Sequence, residues 1–260
     1  MNILLTNDDG VSAEGILNLK NELDKIANVF VVAPLIERSA SGHTITLHEY
    51  LRVKKIEKNV YGCSGYPADC VVMGVKHLFK HEGIDLVISG INRGANMAQD
   101  IYYSGTVAGA REGMILKIPS IAISLAVNYN ECLHDETTSE VFYSTASIFI
   151  KKFIENGGVM EIKNDALLNI NVPNLPYQDL QGIKYTIPGF IDYPKEIEKR
   201  ADTRGRDYYW IGGKKGTVAE IPDSDGMAIK HKHISITDLK LSYFLPDEFA
   251  CRSKVFARFL

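Results

Sequence analysis

Apolar residues along this chain alternate between short continuous runs and longer stretches in which they recur every three or four positions. The first run, Ile3-Leu4-Leu5, stops at Asn7-Asp8-Asp9-Gly10. Across 11–28, Ile16, Leu19, Leu23 and Ile26 return at helical spacing with Lys and Glu between them, and 29–34 is a second apolar run closed by Pro34. Strand, helix and strand within about 30 residues predict a βαβ unit, hence a parallel pair joined by a right-handed crossover. The alternation then repeats. Its spacing predicts helices over 67–80, 106–116 and 140–155 and strands over 85–90, 120–124 and 166–172. Elements in this order belong to an α/β fold with a doubly wound, mostly parallel sheet.

Two stretches depart from that rhythm. Residues 44–56 alternate polar and apolar ahead of Tyr61-Gly62, which predicts a hairpin-like excursion. From Pro188 onward Tyr, Lys, Asp and Gly dominate, and Gly205-Arg206-Asp207-Tyr208-Tyr209-Trp210 followed by Gly212-Gly213 breaks any period. Extended arms or hairpins are expected there, with their aromatic residues packed on a partner subunit. The chain is expected to divide into a core over 1–187 and a C-terminal segment over 188–260, made of a hairpin or arm and a terminal helix.

Composition narrows the function. With 260 residues, 45% of them hydrophobic, the chain can bury a sizeable core. Its formal net charge is −3 and its Lys and Arg are scattered, which argues against an electrostatic footprint for duplex nucleic acid. Met1 leads straight into a strand, and no apolar run approaches ~18 residues, so neither a signal peptide nor a membrane span is expected. The expected location is cytoplasmic. Cys63, Cys70, Cys132 and Cys251 lack the paired short spacing of a zinc site and are expected to be reduced thiols.

In an open parallel sheet ligands bind beyond the carboxyl ends of the strands, so the residues after each apolar run carry the chemistry. The first strand delivers Asp8 and Asp9 to a turn that Gly10 permits. Adjacent carboxylates repel, and a shared proton or a bound cation relieves them; hard oxygen ligands suit Mg²⁺, Mn²⁺ or Ca²⁺. The plainer alternative is that Asn7 or Asp8 caps the next helix and Asp9 is solvated. The second strand runs into Glu37-Arg38-Ser39-Ala40-Ser41-Gly42-His43, and the strand at 85–88 into Ser89-Gly90-Ile91-Asn92-Arg93-Gly94-Ala95-Asn96. Taken singly, Ser39 and Asn92 read as turn residues and His43 as a packed loop histidine or a proton donor. Ser104-Gly105-Thr106 opens a helix, where free N–H groups suit either a phosphate or an ordinary N-cap. The chain has no Gly-x-x-x-x-Gly-Lys-[Ser/Thr], no Gly-x-Gly-x-x-Gly after the first strand and no Gly-x-Ser-x-Gly after a strand, which excludes three common nucleotide and hydrolase arrangements. A cation on carboxylates opposite an anion seat is equipment for phosphate ester hydrolysis.

In order along the chain, Asn7-Asp8-Asp9-Gly10, Val32-Ala33-Pro34 with Arg38-Ser39-Ala40, Ser89 to Asn96 as quoted, and Tyr103-Ser104-Gly105-Thr106-Val107 with Glu112-Gly113 resemble the survival protein SurE family. Asn169-Ile170-Asn171-Val172-Pro173 adds a fifth match, and Tyr208-Tyr209-Trp210 a looser one. The resemblance implies a Rossmann-like core and a C-terminal segment exchanged between subunits of a homodimer or homotetramer. It implies a metal-dependent phosphatase acting on nucleoside 5'-monophosphates, with 3'-monophosphates and short polyphosphate as further substrates. One divalent cation per subunit, Mg²⁺ or Mn²⁺ ahead of Ca²⁺, falls on Asp8, Asp9, Ser39 and Asn92, the two aspartates being the catalytic pair. Asn96, Ser104, Gly105 and Thr106 fall in the phosphate pocket. Gly65-Tyr66-Pro67 departs from the family's usual Gly-Thr-Pro, so a loop bordering the pocket there would alter substrate preference. Two other classes stay open on residues alone: a nucleotide-sensing module without turnover, and a metal-dependent glycosyltransferase.

Overall fold

The computed structural model of the chain describes residues 1–127, 140–193, 197–211 and 216–240. Its first half holds β1 (Asn2–Thr6), α1 (Glu14–Leu23), β2 (Asn28–Pro34), β3 (Val53–Glu57), β4 (Val60–Cys63), α2 (Pro67–Met73), β5 (Leu86–Arg93), α3 (Gly105–Ile115) and β6 (Ser120–Ala126). Its second half holds α4 (Tyr143–Glu155), β7 (Ala166–Pro173), β8 (Ile183–Tyr185), β9 (Ile191–Asp192), β10 (Ile197–Ala201), β11 (Asp207–Ile211), β12 (Thr217–Val218), α5 (Asp225–Lys230) and β13 (Ile234–Lys240).

Nine strands form one sheet in the order β3-β4-β2-β1-β5-β6-β7-β13-β8. From β4 to β7 all neighbours are parallel. β3 closes one end antiparallel to β4; at the other end β13 runs antiparallel to β7 and carries β8 as the last strand. Starting at β1 the chain moves outward through β2 and β4, then returns to the other side of β1 and continues through β5, β6 and β7. The direction of winding therefore reverses between β1 and β5. At such a reversal the connections leave on opposite faces, and a crevice opens beyond the strand ends.

The sheet is doubly wound because its strands are apolar on both faces. Ile3 and Leu5 of β1 point into a core shared with Ile16, Leu19 and Leu23 of α1 and Phe149 and Ile150 of α4. Leu4 points the other way, with Phe30, Val32 and Val71. On that second face α3 lays Val107, Ala110 and Met114 against Ala122 and Leu167. Alternation along a strand and a 3.6-residue period along a helix are enough to produce both layers.

Several expectations shift in detail. The helix expected over 11–28 forms only as Glu14–Leu23, and the one over 67–80 runs as α2 and then widens into a π-type turn at Gly74–Leu78. The hairpin expected over 44–56 is displaced: residues 44–52 have no regular structure, and β3 and β4 make the hairpin around Asn59, which sits at φ +61°. Lys54, Lys55 and Ile56 on β3 are exposed, so the alternation there marks an edge strand facing solvent.

Beyond Pro188 the chain does form an arm. Among the described residues β10 and β11 pair only with each other, every residue of both is exposed, and Tyr209 and Trp210 are 60% and 58% accessible. Asp202 closes its turn by accepting from the backbone N–H groups of Arg204 and Arg206. The chain then returns to the body: α5 lies against β7 and β13, and β13 is a strand of the main sheet. The expected terminal helix lies outside the described residues, as do Cys132, Cys251 and Gly212-Gly213. Cys63 and Cys70 are free thiols, both buried. Among the described residues no helix is long and apolar enough to cross a membrane.

Candidate active site

The turn after β1 is built by Asn7. Its Nδ2 donates to Gly10 O at 2.9 Å and its Oδ1 accepts from Gly10 N at 3.2 Å. The residue that caps α1 is Ala13, which offers no side-chain hydrogen bond, so neither Asn7 nor Asp8 serves that helix. Asp8 turns instead to α3. Thr106 directs both its hydroxyl and its backbone N–H at the Asp8 carboxylate, which is only 5% exposed. At the start of α3 the free N–H groups that favour an anion at a helix N-terminus thus meet a carboxyl group of the protein itself.

Glycines make this close approach possible. Gly105, Gly109 and Gly113 share the face of α3 that meets the sheet. A Cβ on Gly109 would lie 2.7 Å from Ser89 Oγ, and one on Gly105 would lie 2.8 Å from Asp8 Cβ and 2.9 Å from Asp8 Oδ2. Without side chains there, α3 descends onto β1 and β5 until its first turn meets Asp8. A second glycine shapes β5. Gly90 has φ +138° and an added Cβ would lie 2.2 Å from Ile123 O, at the point where β5 loses register with β6 between Ser89 and Asn92. Such irregularities re-aim side chains, and Asn92 lines the cleft beyond the strand ends.

That cleft has a volume of about 730 Å³ and gathers Asp8 and Asp9 from the end of β1, Ser39 from the end of β2, and Asn92, Asn96 and Ser104 from the end of β5 and the connection to α3. Gly105 and Thr106 are not in its lining; they lie behind Asp8. Ser104 is the N-cap of α3, its Oγ accepting from Val107 N at 3.0 Å. Asn96 is fixed from three sides: its N–H reaches Asn171 Oδ1 at 2.8 Å, its Nδ2 reaches Ser124 Oγ at 2.8 Å, and its carbonyl accepts from Asn169 and Asn171. This explains the polar Asn169-Ile170-Asn171 within a buried strand. Its two amides are frames for the cleft wall.

Sequence reasoning missed several lining residues. Tyr143, the first residue of α4, arrives on the helix that packs beside α1 and carries no local signal. Arg93, Glu37, Asp100 and Tyr103 also face the cleft, and all of them sit inside stretches whose neighbours drew the attention. His43 does not reach it. Its Nε2 pairs with Glu112 Oε2 on α3 at 3.0 Å, so it is a packed loop histidine. Tyr66 does not border the cleft lining either. Its ring lies under the Arg38 guanidinium at 4.8 Å, and its N–H donates to Asp69 at the start of α2.

Electrostatics single out the aspartates. Burial pushes the Asp8 carboxyl up, opposed by the Thr106 hydrogen bonds. Burial and the neighbouring Asp8 charge push Asp9 up to about 6, opposed by the backbone N–H of Arg93. Burial and the Asp9 charge push Tyr143 up to about 12, so it keeps its proton at neutral pH. A divalent cation would reverse the first two shifts. Among the described residues no group of three or more His, Cys, Asp and Glu is gathered closely enough for a metal, so a cation here must combine the two carboxylates with neutral oxygens. Those oxygens are present. Asn92 spends only its Nδ2, on Gly94 O at 2.8 Å, and Ser39 spends only its proton, on Glu37 Oε1 at 2.6 Å. Carboxylate, amide and hydroxyl oxygens together are a hard donor set suited to Mg²⁺, Mn²⁺ or Ca²⁺.

Known proteins carry the same frame. The chain is 43% identical over 241 residues to a protein of Geobacter sulfurreducens named 5'-nucleotidase SurE, covering 93% of this chain and 88% of that protein. It is 45% identical over 252 residues to the protein of the same name from Thermosipho melanesiensis, covering 95% and 94%. The crystal structure of the SurE protein from Aquifex aeolicus superposes with a TM-score of 0.81 at 35% identity, over 94% of this chain and 95% of that one. The pattern that defines the family described as Survival protein SurE matches residues 3–194, which include both carboxylates, the β5 irregularity and the glycine-lined start of α3, so the chain belongs to the SurE family.

Proposed function

We propose that this chain is a divalent-metal-dependent 5'-nucleotidase that hydrolyses nucleoside 5'-monophosphates to nucleoside and phosphate, with 3'-monophosphates and short polyphosphate as further substrates. The observation that carries the proposal is the pair Asp8 and Asp9, held in one cleft opposite Asn96 and Ser104, with both carboxyls pushed up in the absence of a cation. The names of the relatives from Geobacter sulfurreducens and Thermosipho melanesiensis support the substrate class.

Asp8, Asp9, Ser39 and Asn92 would hold one cation per subunit, Mg²⁺ or Mn²⁺ ahead of Ca²⁺. The cation supplies Lewis acidity toward a phosphoryl oxygen and charge neutralisation as the ester bond breaks. Thr106 orients Asp8 by donating to it, and Gly105 leaves room for that carboxylate. Asn96 and Ser104 bind and orient the remaining phosphoryl oxygens. Asp9, the more accessible carboxylate, accepts the proton of the attacking water, and Tyr143 stands protonated as a donor to the departing ester oxygen. The cleft is wide enough for a nucleoside monophosphate, and Arg93 and Tyr103 extend its polar and aromatic lining.

The exposed β10–β11 hairpin, with Tyr208, Tyr209 and Trp210 unpacked, supports subunit exchange in a homodimer or homotetramer. The test of function is inorganic phosphate release from nucleoside 5'- and 3'-monophosphates and short polyphosphate, with Mg²⁺, Mn²⁺ or EDTA. Release that requires the cation is expected. A folded protein that binds nucleotide and metal but releases no phosphate refutes the proposal.

A further inference from the structure

The cleft wall between Asn92 and Ser104 is held from outside. Three consecutive residues at its middle are each bonded to the C-terminal segment. Ala98 donates its N–H to Asp225 Oδ2 at 2.8 Å. The Gln99 side chain accepts from Ile191 N at 3.0 Å and donates to Ile191 O. The Tyr193 hydroxyl donates to Asp100 Oδ2 at 2.6 Å.

Asp225 is the hub of this arrangement. It is 1% exposed, and its other oxygen accepts from Gly189 N at 2.9 Å and Gly226 N at 2.8 Å. Among the described residues all the groups that donate to this carboxylate are backbone N–H groups on three separate segments, and no Lys or Arg pairs with it. A buried charge held this way is retained where it organises several chain segments at once. One of those segments needs holding. Ala98 has φ +51°, in the left-handed region that a residue with a Cβ disfavours. Two residues before it stands Asn96, and after it come Asp100, Tyr103 and Ser104, all in the cleft lining.

We propose that Asp225 is a positioning residue for the active site: by holding Ala98 in its left-handed conformation it sets the spacing between Asn96 and Ser104. Together with the Gln99–Ile191 and Asp100–Tyr193 bonds, it ties that wall to the root of the β10–β11 arm. The inference rests on the phosphatase reading above, and its test separates the two.

Asp225→Asn is the discriminating variant. An amide keeps an oxygen for Gly189 and Gly226 but turns an NH₂ toward the Ala98 N–H, so one bond of the three becomes a repulsion. Expected is a fall in kcat of about 10²-fold, as for a remote change that misplaces reacting groups, with Mn²⁺ affinity by calorimetry unchanged. Adding Ala98→Gly should restore about tenfold, because glycine occupies the left-handed region without a steric penalty. A merely structural role would not respond to that second change. Wild-type kcat in Asp225→Asn, or a loss that Ala98→Gly leaves untouched, overturns the proposal. If Asp225→Asn does not fold, Tyr193→Phe and Gln99→Ala take its place, and undiminished kcat in both overturns it. If the wild type releases no phosphate, the phosphatase reading falls first. Amide exchange at Ala98 then judges Asp225 alone: protection in the wild type and loss of it in the variant are expected, and equal exchange in both overturns the proposal.

Discussion

Replacing Asp9 by Asn should stabilise the metal-free protein at neutral pH, although it removes a group from the active site. The Asp9 carboxyl is pushed up to about 6, by burial first and by the Asp8 charge second, against about 3.9 in an unfolded chain. Between those values the folded protein keeps a proton that the unfolded chain has released. The stability that this group contributes is therefore fully present below about pH 4, declines as pH rises toward about 6, and is lost above that. Two units at about 1.36 kcal/mol each set a ceiling of about 3 kcal/mol. Because part of this carboxyl meets solvent, the expected penalty is about 1–2 kcal/mol. Asn carries no charge and keeps an oxygen for the Arg93 N–H, so it escapes the penalty. At about 2–4 °C per kcal/mol for a chain of this size, the Tm of Asp9→Asn in EDTA should exceed that of wild type by roughly 2–8 °C at neutral pH. The difference should close as the pH approaches about 4. Saturating Mn²⁺ should reverse the order, since a ligand at about 100 times its Kd adds about 2.7 kcal/mol to the wild type and little to a variant that binds it poorly. Thermal unfolding across that pH range, with EDTA or Mn²⁺, measures all three. An Asn variant less stable than wild type in EDTA at neutral pH, or a gap independent of pH, refutes the reasoning.

Gly105→Ala should cost about 1–2 kcal/mol in chemical denaturation, the overpacking against Asp8 being partly offset by better helix propensity. It should also lower kcat for phosphate release by about 10²-fold, since the Cβ displaces Asp8; near-normal turnover would contradict the close packing. Thr106→Val keeps the shape but removes a donor from Asp8, so Mn²⁺ affinity by calorimetry should weaken about tenfold, in line with a charge-assisted hydrogen bond of about 1.5–3 kcal/mol. Trp210→Glu on the exposed hairpin should lower the mass measured by light scattering without changing the Tm of the monomeric body by more than about 2 °C; an unchanged mass would refute subunit exchange through this hairpin.

The α/β class, the parallel sheet and most of its elements were legible because apolar periodicity reports which faces are buried. Where an expectation left more than one outcome open or shifted, a tertiary contact decided. The 44–52 stretch alternates like a strand, yet no neighbouring strand pairs with it, and the hairpin forms one step later, where Asn59 accepts a left-handed turn. His43, open in the sequence between a packed loop histidine and a proton donor, is the packed residue, because Glu112, 69 residues away, holds it.

For the site, the chain itself determined which residues follow each strand. The stretches that hold Asp8, Asp9, Ser39, Asn92, Asn96 and Ser104 could be written down from that rule, because ligands collect at strand ends in an open parallel sheet, and the choice of these residues within them came from the resemblance to the SurE family. Only the tertiary structure decided how they are used. At the helix start the Thr106 hydroxyl donates to Asp8, a contact made possible because three glycines let α3 settle against the sheet, a distance no linear pattern contains. Tyr143, Asp100 and Asp225 were invisible for the same reason: the first comes from a helix far along the chain that packs beside α1, and the last two meet the root of the arm only after the C-terminal segment has folded back. Periodicity is a one-dimensional record of burial, and it carries the fold; contacts between residues far apart in sequence are three-dimensional, and they carry the site.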